Sequence, residues 1–161
     1  MDEASYERFD SASGFQAAVD RVLGQPGREL RIFDPDGAAL RLNDSSRITN
    51  LERFLAASRT RRIYMVVHDT DHLTRYCPRL IGLLGRYAHA MQVNRTHEHL
   101  RELQDAFLVL DSQHYVRRPQ SSFYRGAIGL GDETEALEMR SRFMEIWEAS
   151  FPGVSSTAVG L

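Results

Sequence analysis

Hydrophobic residues occur along this chain in two different patterns, continuous runs and helical stripes. Ile63-Tyr64-Met65-Val66-Val67 and Ala106-Phe107-Leu108-Val109-Leu110 are unbroken apolar runs of five. A run of that length without polar alternation is typical of a strand that is buried on both faces. A strand buried on both faces needs helices above and below it. The pattern therefore predicts an α/β fold with a central sheet covered on both sides.

The segments between these runs carry helical and turn patterns. Apolar residues with helical spacing predict a first helix from Ser13 to about Leu23, a second from Ser45 or Ser46 to near Ser58, a third starting near Cys77 and a last one opening at Asp132 with Glu135 as its capping-box partner. Further strands are predicted at Glu29–Phe33, Met91–Val93 and Tyr115–Arg118. The last of these forms a hairpin with the second apolar run, so the sheet is predicted to be mixed.

The same reading gives the domain boundaries. Residues 1–12 are polar and are expected to form a flexible N-terminal arm, residues 13–152 a single α/β domain, and residues 153–161 a frayed tail. The glycine-rich stretch Gly126–Gly131 follows no predicted strand and leads into an acidic helical turn, which would repel phosphate. We therefore expect no phosphate loop there.

Composition excludes several classes of function. The chain has 161 residues, 42% of them hydrophobic, which fits one globular domain, and its formal net charge of −2 argues against nucleic-acid binding. All 20 basic residues are arginine, so no lysine is present for a Schiff base or a P-loop. Cys77 is the sole cysteine and is expected in the core. No apolar run is long enough to span a membrane, and a soluble cytoplasmic protein without a cofactor is expected.

The first apolar run ends in ionisable residues at the rim of the predicted sheet. His68, Asp69, Asp71 and His72 are residue types that bind metals. A four-residue spacing brings two histidines together on a helix, however, whereas a junction between strand and loop points them apart. We therefore predict no metal site, and a solvated loop or a capping role for the two aspartates.

The order of elements resembles one half of the phospholipase D superfamily fold over residues 28–150. The matching features are a helix at Asn50–Ser58, the strand Ile63–Val67, the segment Gln104–Ser112 and a closing helix ending at Phe143–Ser150. The family signature is His-x-Lys-x4-Asp on the strand that corresponds to Gln104–Ser112. The chain also resembles an uncharacterised group of bacterial domains with a degenerate signature, sometimes found beside acetyltransferase domains.

The resemblance places Asp111 at the signature aspartate, Gln104 at the nucleophilic histidine and Ala106 at the lysine. Glutamine cannot form a phosphoryl-enzyme intermediate and alanine cannot hold phosphate oxygens. The resemblance therefore implies a non-catalytic binding or interaction module. Single-half members of the superfamily pair face to face, which implies a homodimer. The alternative is an enzyme, a metal-assisted or His68-based phosphoesterase at the sheet rim.

A phosphate-containing ligand or a protein partner is the implied binding partner. In the fold that the resemblance implies, arginine side chains near the signature aspartate form a candidate anion pocket, because guanidinium groups suit phosphate. The alternative is that these arginines pair with acidic neighbours across the hairpin. The candidate pocket residues are His68, Asp69, Arg79, Asp111, Arg117, Arg118 and Arg125.

Overall fold

A computed structural model describes residues 3–154, which form one mixed β-sheet with helices on both faces. The predicted fold class is therefore confirmed. The strands are β1 Ser5–Phe9, β2 Glu29–Asp34, β3 Arg62–Val67, β4 Met91–Thr96, β5 Ala106–Leu110, β6 His114–Arg118, β7 Gly126–Leu130 and β8 Ser150–Val154. The α-helices are α1 Ala12–Leu23, α2 Ser45–Ala56, α3 Asp71–Tyr76, α4 Pro78–Arg86 and α5 Glu133–Glu148.

The eight strands lie in the order β1-β7-β6-β5-β2-β3-β4-β8. The three strands β2, β3 and β4 are parallel, and every other pairing in the sheet is antiparallel. Because Phe33 pairs with Phe107 and Leu30 with Leu110, β5 starts where β2 ends. One end of the sheet, called the rim here, therefore holds the carboxyl ends of β2, β3 and β4 together with the amino end of β5.

Two apolar layers hold the helices on the sheet. On one face, α1, α2, α3 and α4 pack against alternate residues of the central strands, such as Leu30, Ile63 and Leu108. On the other face, α5 covers Phe33, Val66 and the residues around them. The central strands are thus buried on both sides, as their unbroken apolar runs predicted.

The helix boundaries follow from local capping chemistry. The side chain of Asp132 accepts the backbone N–H of Glu135 at 3.5 Å, so the predicted start of α5 is confirmed. The first helix begins earlier than predicted, because Ser11 rather than Ser13 accepts the N–H of Gly14, at 3.0 Å. Asp71–Tyr76, which precedes the predicted start of the third helix near Cys77, forms the short helix α3 before Pro78 starts α4.

Both edges of the sheet differ from the sequence-based prediction. Residues 5–9, predicted to belong to a flexible arm, form β1 and pair along their whole length with Gly126–Leu130, which is β7. Gly153 and Val154, predicted to begin a frayed tail, belong to β8, which pairs with β4. Both edge strands are short, and their apolar residues are interrupted by Glu7 and Arg8 in β1 and by Pro152 and Gly153 in β8, so neither carries an apolar run that would reveal it. Residues 155–161 of the predicted tail lie outside the described residues.

Candidate functional site

The rim is the first place to look for a site, because open α/β sheets bind ligands at the carboxyl ends of their parallel strands. Asp34 is the last residue of β2, His68 follows β3, and Thr96 ends β4. Arg118 ends β6 and lies directly opposite Ala106 at the start of β5. All four polar side chains are buried, although they lie at the rim: Asp34, His68, Thr96 and Arg118.

Asp34 and Arg118 form a buried ion pair at the rim. Arg118 Nη2 donates to Asp34 Oδ1 at 2.6 Å, and the two side chains are each 3% exposed. The other carboxylate oxygen of Asp34 accepts the backbone N–H of Gly37 at 2.6 Å. Burial raises the pKa of the Asp34 carboxyl, and the Arg118 cation and the Gly37 N–H oppose that rise.

The second terminal nitrogen of the Arg118 guanidinium is also occupied. Arg118 Nη1 donates to the carbonyl oxygen of Ser121 at 2.6 Å, and its Cζ lies 4.6 Å from the ring centroid of Phe15. Beside it is a void of about 10 Å³ that is lined by Ala106 and its neighbours, room for about one water molecule. Arg118 is therefore a structural cation and is not available to an external anion.

A cleft of about 380 Å³ opens above this ion pair. Its walls are Asp34 at the end of β2, the loop that follows it, which carries Asp36, and the loop after β6, which carries Phe123 and Tyr124. The Asp36 carboxylate and the neutralised Asp34–Arg118 pair leave the cleft without a free positive charge among its lining residues. The cleft is therefore poorly suited to phosphate.

Both ring nitrogens of His68 are engaged. Nε2 lies 2.8 Å from the carbonyl oxygen of Leu103, and Nδ1 lies 2.8 Å from the hydroxyl of Thr96. A carbonyl oxygen only accepts, so Nε2 carries the hydrogen and, in the neutral ring, Nδ1 accepts from Thr96. The ring also packs edge-on against Phe33, at 5.4 Å. These contacts tie the loop before β5 to the end of β3.

The residues that follow His68 have local roles. Asp69 Oδ1 accepts the N–H of Asp71 at 2.8 Å, a turn contact just before α3, whose N-cap residue is Thr70. His72 lies on α3, where its ring contacts Tyr76 at 5.5 Å. Within residues 3–154, no three His, Cys, Asp or Glu side chains are grouped so that they could hold a metal ion.

Asp111 lies at the other end of the sheet from His68, so the seven predicted pocket residues do not form one site. Asp111 follows β5 at the end of the sheet opposite the rim, a strand length of roughly 17 Å away. It adopts a left-handed conformation with φ of 54°, and its carboxylate accepts the backbone N–H groups of Arg28 and Glu29. Arg79 donates to the carbonyl oxygen of Asn43 at 2.8 Å. Both residues stabilise loops.

Arg117 and Arg125 are brought together, and the structure adds two residues that the sequence analysis missed. Arg8 and Arg117 flank Ala127 on the two neighbouring strands, on the same face of the sheet. With Arg125 and Tyr6 they line a groove of about 240 Å³, called the arginine groove here. No ion pair involves its three arginines within residues 3–154.

Arg8 and Tyr6 were missed because residues 1–12 were predicted to be an arm. The signal that could have found them is the strand pattern of Ser5–Phe9, in which Tyr6 and Arg8 alternate with Glu7. Glu7 points to the opposite face, where it pairs with Arg21 at 2.9 Å. Among the described residues, no helix has the length and apolar character needed to cross a membrane.

Comparison with protein families assigns the chain to one family. A family model described as Domain of unknown function (DUF7931) matches residues 11–156. The chain belongs to this family. It is also 34% identical over 88 residues to the phosphonates import ATP-binding protein PhnC of Cupriavidus pinatubonensis (strain JMP 134 / LMG 1197). That alignment covers 52% of this chain and 30% of PhnC, so the chain spans less than a third of that relative.

Solved structures show what fold the DUF7931 chain has. Nuc from Salmonella typhimurium, described as a phospholipase D family member, superposes with a TM-score of 0.63 at 8% identity, covering 95% of this chain and all of Nuc. NucT from Helicobacter pylori gives 0.61 at 12% identity, covering 94% and 100%. TrmBL2, an archaeal chromatin protein described as showing a novel mode of DNA binding, gives 0.63 at 13% identity, covering 92% of this chain and 54% of TrmBL2. The DUF7931 chain therefore has a phospholipase D-like α/β fold.

Proposed function

We propose that this DUF7931 chain is a phospholipase D-like domain without phosphodiesterase chemistry, which works as a binding module for a phosphate-containing ligand. The observation that carries the proposal is that the arginine at the rim, Arg118, is buried in an ion pair with Asp34. The resemblance to the phospholipase D superfamily puts Ala106 where the family has its lysine. The arginine opposite it, Arg118, is buried and neutralised by Asp34.

The nucleophile position supports the same reading. Gln104 corresponds to the family histidine, and an amide nitrogen cannot attack phosphorus to give a phosphoryl-enzyme intermediate. Its Nε2 lies 3.5 Å from the carbonyl oxygen of Arg101, a contact within its own loop. Asp111, which corresponds to the signature aspartate, binds backbone N–H groups at a turn. Each of the three signature positions, Gln104, Ala106 and Asp111, therefore holds a residue that is unreactive or has a structural role.

The competing function is a His68-based or metal-assisted phosphoesterase. A general base needs a ring nitrogen within hydrogen-bond reach of its substrate. Both nitrogens of His68 already have protein partners at 2.8 Å, and the residue is buried. Using His68 as a base would require the loop carrying Leu103 to move away. We therefore favour the non-catalytic function.

Hydrolysis assays separate the two functions. The wild-type chain and His68→Ala are incubated with bis(p-nitrophenyl) phosphate and with p-nitrophenyl phosphate, each with and without Mn²⁺ or Zn²⁺. We expect both proteins to release nitrophenol at the rate of the buffer. Turnover by the wild type that disappears in His68→Ala would establish the phosphoesterase and overturn the proposal.

The arginine groove is where the phosphate-containing ligand is proposed to bind. Arg8, Arg117 and Arg125 are unpaired within the described residues and share an open groove with Tyr6, whose ring is exposed. Guanidinium groups donate two parallel hydrogen bonds to phosphate oxygens, and an aromatic ring can stack on a base or sugar. An exposed site of this kind depends on charge, so added salt weakens it.

Binding is tested with inorganic phosphate, a mononucleotide and a short single-stranded oligonucleotide, by thermal shift and calorimetry. We expect phosphate-bearing probes to stabilise the wild type and to lose that effect in Arg117→Gln/Arg125→Gln. Arg53→Gln, an exposed arginine on α2 across the sheet, is the matched control and should bind like the wild type. If none of the three probes stabilises the wild type, the proposed binding of a phosphate-containing ligand is refuted.

A homodimer is part of the same proposal and rests on the pairing of single-half members in the phospholipase D superfamily. Light scattering coupled to size-exclusion chromatography gives the mass directly. We expect about twice the 18.4 kDa of one chain. A mass of one chain at high protein concentration would contradict the dimer and leave the ligand proposal intact.

A further inference from the structure

Arg31 is a buried arginine with unused hydrogen-bond donors. It lies in the middle of β2 on the face covered by α5, and its side chain is 5% exposed. Its Nη2 donates to Glu29 Oε2 at 2.7 Å. Its Nε and Nη1 are buried and have no acceptor within residues 3–154. Buried donors of a charged group normally have partners, so this guanidinium lacks an acceptor that a ligand could supply.

Arg31 is one of the residues that line an aromatic groove. Tyr64, Phe143, Met144 and Trp147 line a space of about 240 Å³ together with Arg31 and Glu29. The guanidinium carbon of Arg31 lies 5.5 Å from the centroid of the Tyr64 ring, which meets Trp147 edge-on at 5.3 Å. The volume of this groove is somewhat below the usual range for pockets that bind drug-sized molecules, so it accommodates one ring system with a small substituent.

The charges around this groove favour a monoanion. Glu29 and Arg62 are partners in the register of β2 and β3, and Arg31 lies two residues further along the same face. Arg62 Nη1 donates to the backbone carbonyls of Arg59 and Arg61, so Glu29 pairs with Arg31. Among the lining residues, Glu29 and Arg31 balance each other, and Arg62 adds a positive charge from outside the lining, opposite Glu29 in the strand register. An anionic ligand would balance that additional charge.

We propose that this groove binds a small aromatic carboxylate, with the carboxylate on Arg31 and the ring against Tyr64 and Trp147. Carboxylate oxygens are the acceptors that the Arg31 donors lack, and an aromatic ring matches the walls. The site lies on the α5 face towards the amino end of β2, whereas the arginine groove lies on β1, β6 and β7. The proposal is independent of the proposed phosphate-binding function.

Trp147 is the sole tryptophan of the chain, so its fluorescence reports on the groove. Benzoate and phenylacetate are titrated into the wild type, with benzamide and acetate as probes that lack the charge or the ring. We expect saturable changes with the aromatic carboxylates and no saturation with benzamide or acetate. Absence of saturation with every aromatic carboxylate up to about 10 mM would overturn the proposal. So would equal binding of benzamide.

Two variants locate the site by calorimetry. Arg31→Met keeps most of the apolar stem of the side chain and removes the donors, so we expect affinity to fall at least tenfold. Met144→Phe changes a wall residue that is 38% exposed, so the fold should be kept while the groove narrows and affinity falls. Arg117→Gln/Arg125→Gln serves as the control and should bind normally. Unchanged affinity in Arg31→Met, or in Met144→Phe if Arg31→Met does not fold, would overturn the proposal.

Discussion

Replacing Arg118 with methionine tests how the rim is held together. Methionine keeps most of the apolar stem but leaves the buried Asp34 carboxyl without the cation that pairs with it at 2.6 Å. It also removes the donor to the carbonyl oxygen of Ser121. Breaking one partner out of a buried ion pair costs about 3–5 kcal/mol, because the remaining charge is uncompensated. We therefore expect Arg118→Met to lose about 3–5 kcal/mol of unfolding free energy at pH 7.

The loss should depend on pH in a defined direction. Burial raises the pKa of Asp34 above its ordinary value of 3.8, and the Arg118 cation opposes that rise, so removing Arg118 raises the pKa further. A carboxyl with a raised folded-state pKa contributes stability that is complete below its ordinary pKa and is lost as the pH rises through the folded value. The deficit of Arg118→Met is therefore smallest near pH 4 and grows towards pH 7.

Urea unfolding followed by the fluorescence of Trp147 measures this deficit. With a slope of about 2 kcal/mol per molar urea, the midpoint at pH 7 should fall by about 2 M. The control is Arg118→Met in an Asp34→Asn background, where the buried carboxyl at position 34 is gone and the deficit should depend much less on pH. A deficit under about 1 kcal/mol at pH 7, or one that grows on acidification, would refute the reasoning.

Three further predictions concern single residues. Gly129→Ala should lower the unfolding free energy by about 1–3 kcal/mol, because its new Cβ would lie 2.4 Å from the Tyr115 ring. Gly85→Ala, in a helix with open space around it, should raise the unfolding free energy by about 0.5 kcal/mol in the same urea assay. Equal effects of the two substitutions would contradict this prediction. Cys77 should resist thiol reagents until urea unfolds the chain, because it is 1% exposed and burial raises its pKa; rapid native-state labelling would disprove its burial. Asp111→Ala should lower the unfolding free energy by about 1–3 kcal/mol, and Asp111→Asn should lower it by less. The reason is that asparagine tolerates the left-handed backbone and its side-chain oxygen still accepts the N–H groups. A larger loss for Asp111→Asn would be inconsistent with a turn role.

Much of the fold could be predicted from local patterns. The runs Ile63–Val67 and Ala106–Leu110 are strands buried on both faces, and Asp132 caps the last helix. These features depend on the period of apolar residues and on contacts within a few positions of the chain. Information of that range is contained in the sequence itself.

The candidate sites depended on contacts between distant segments. Asp34 and Arg118 are 84 residues apart and meet because β2 and β6 both flank β5. Arg8 joins Arg117 because β1 pairs with β7 at the edge of the sheet, although its segment carries no apolar run. Asp111, in contrast, matched a sequence signature but lies at the other end of the sheet, where it stabilises a turn.

The sequence by itself determined the α/β class, the central strands, the last helix and the absence of lysine. The tertiary structure decided which arginines are neutralised and which keep free donors. The physical reason is that the charge available to a ligand depends on burial and on partners far along the chain. Arg118 is buried beside a carboxylate that occupies it, whereas Arg31 is equally buried yet keeps donors without acceptors among the described residues.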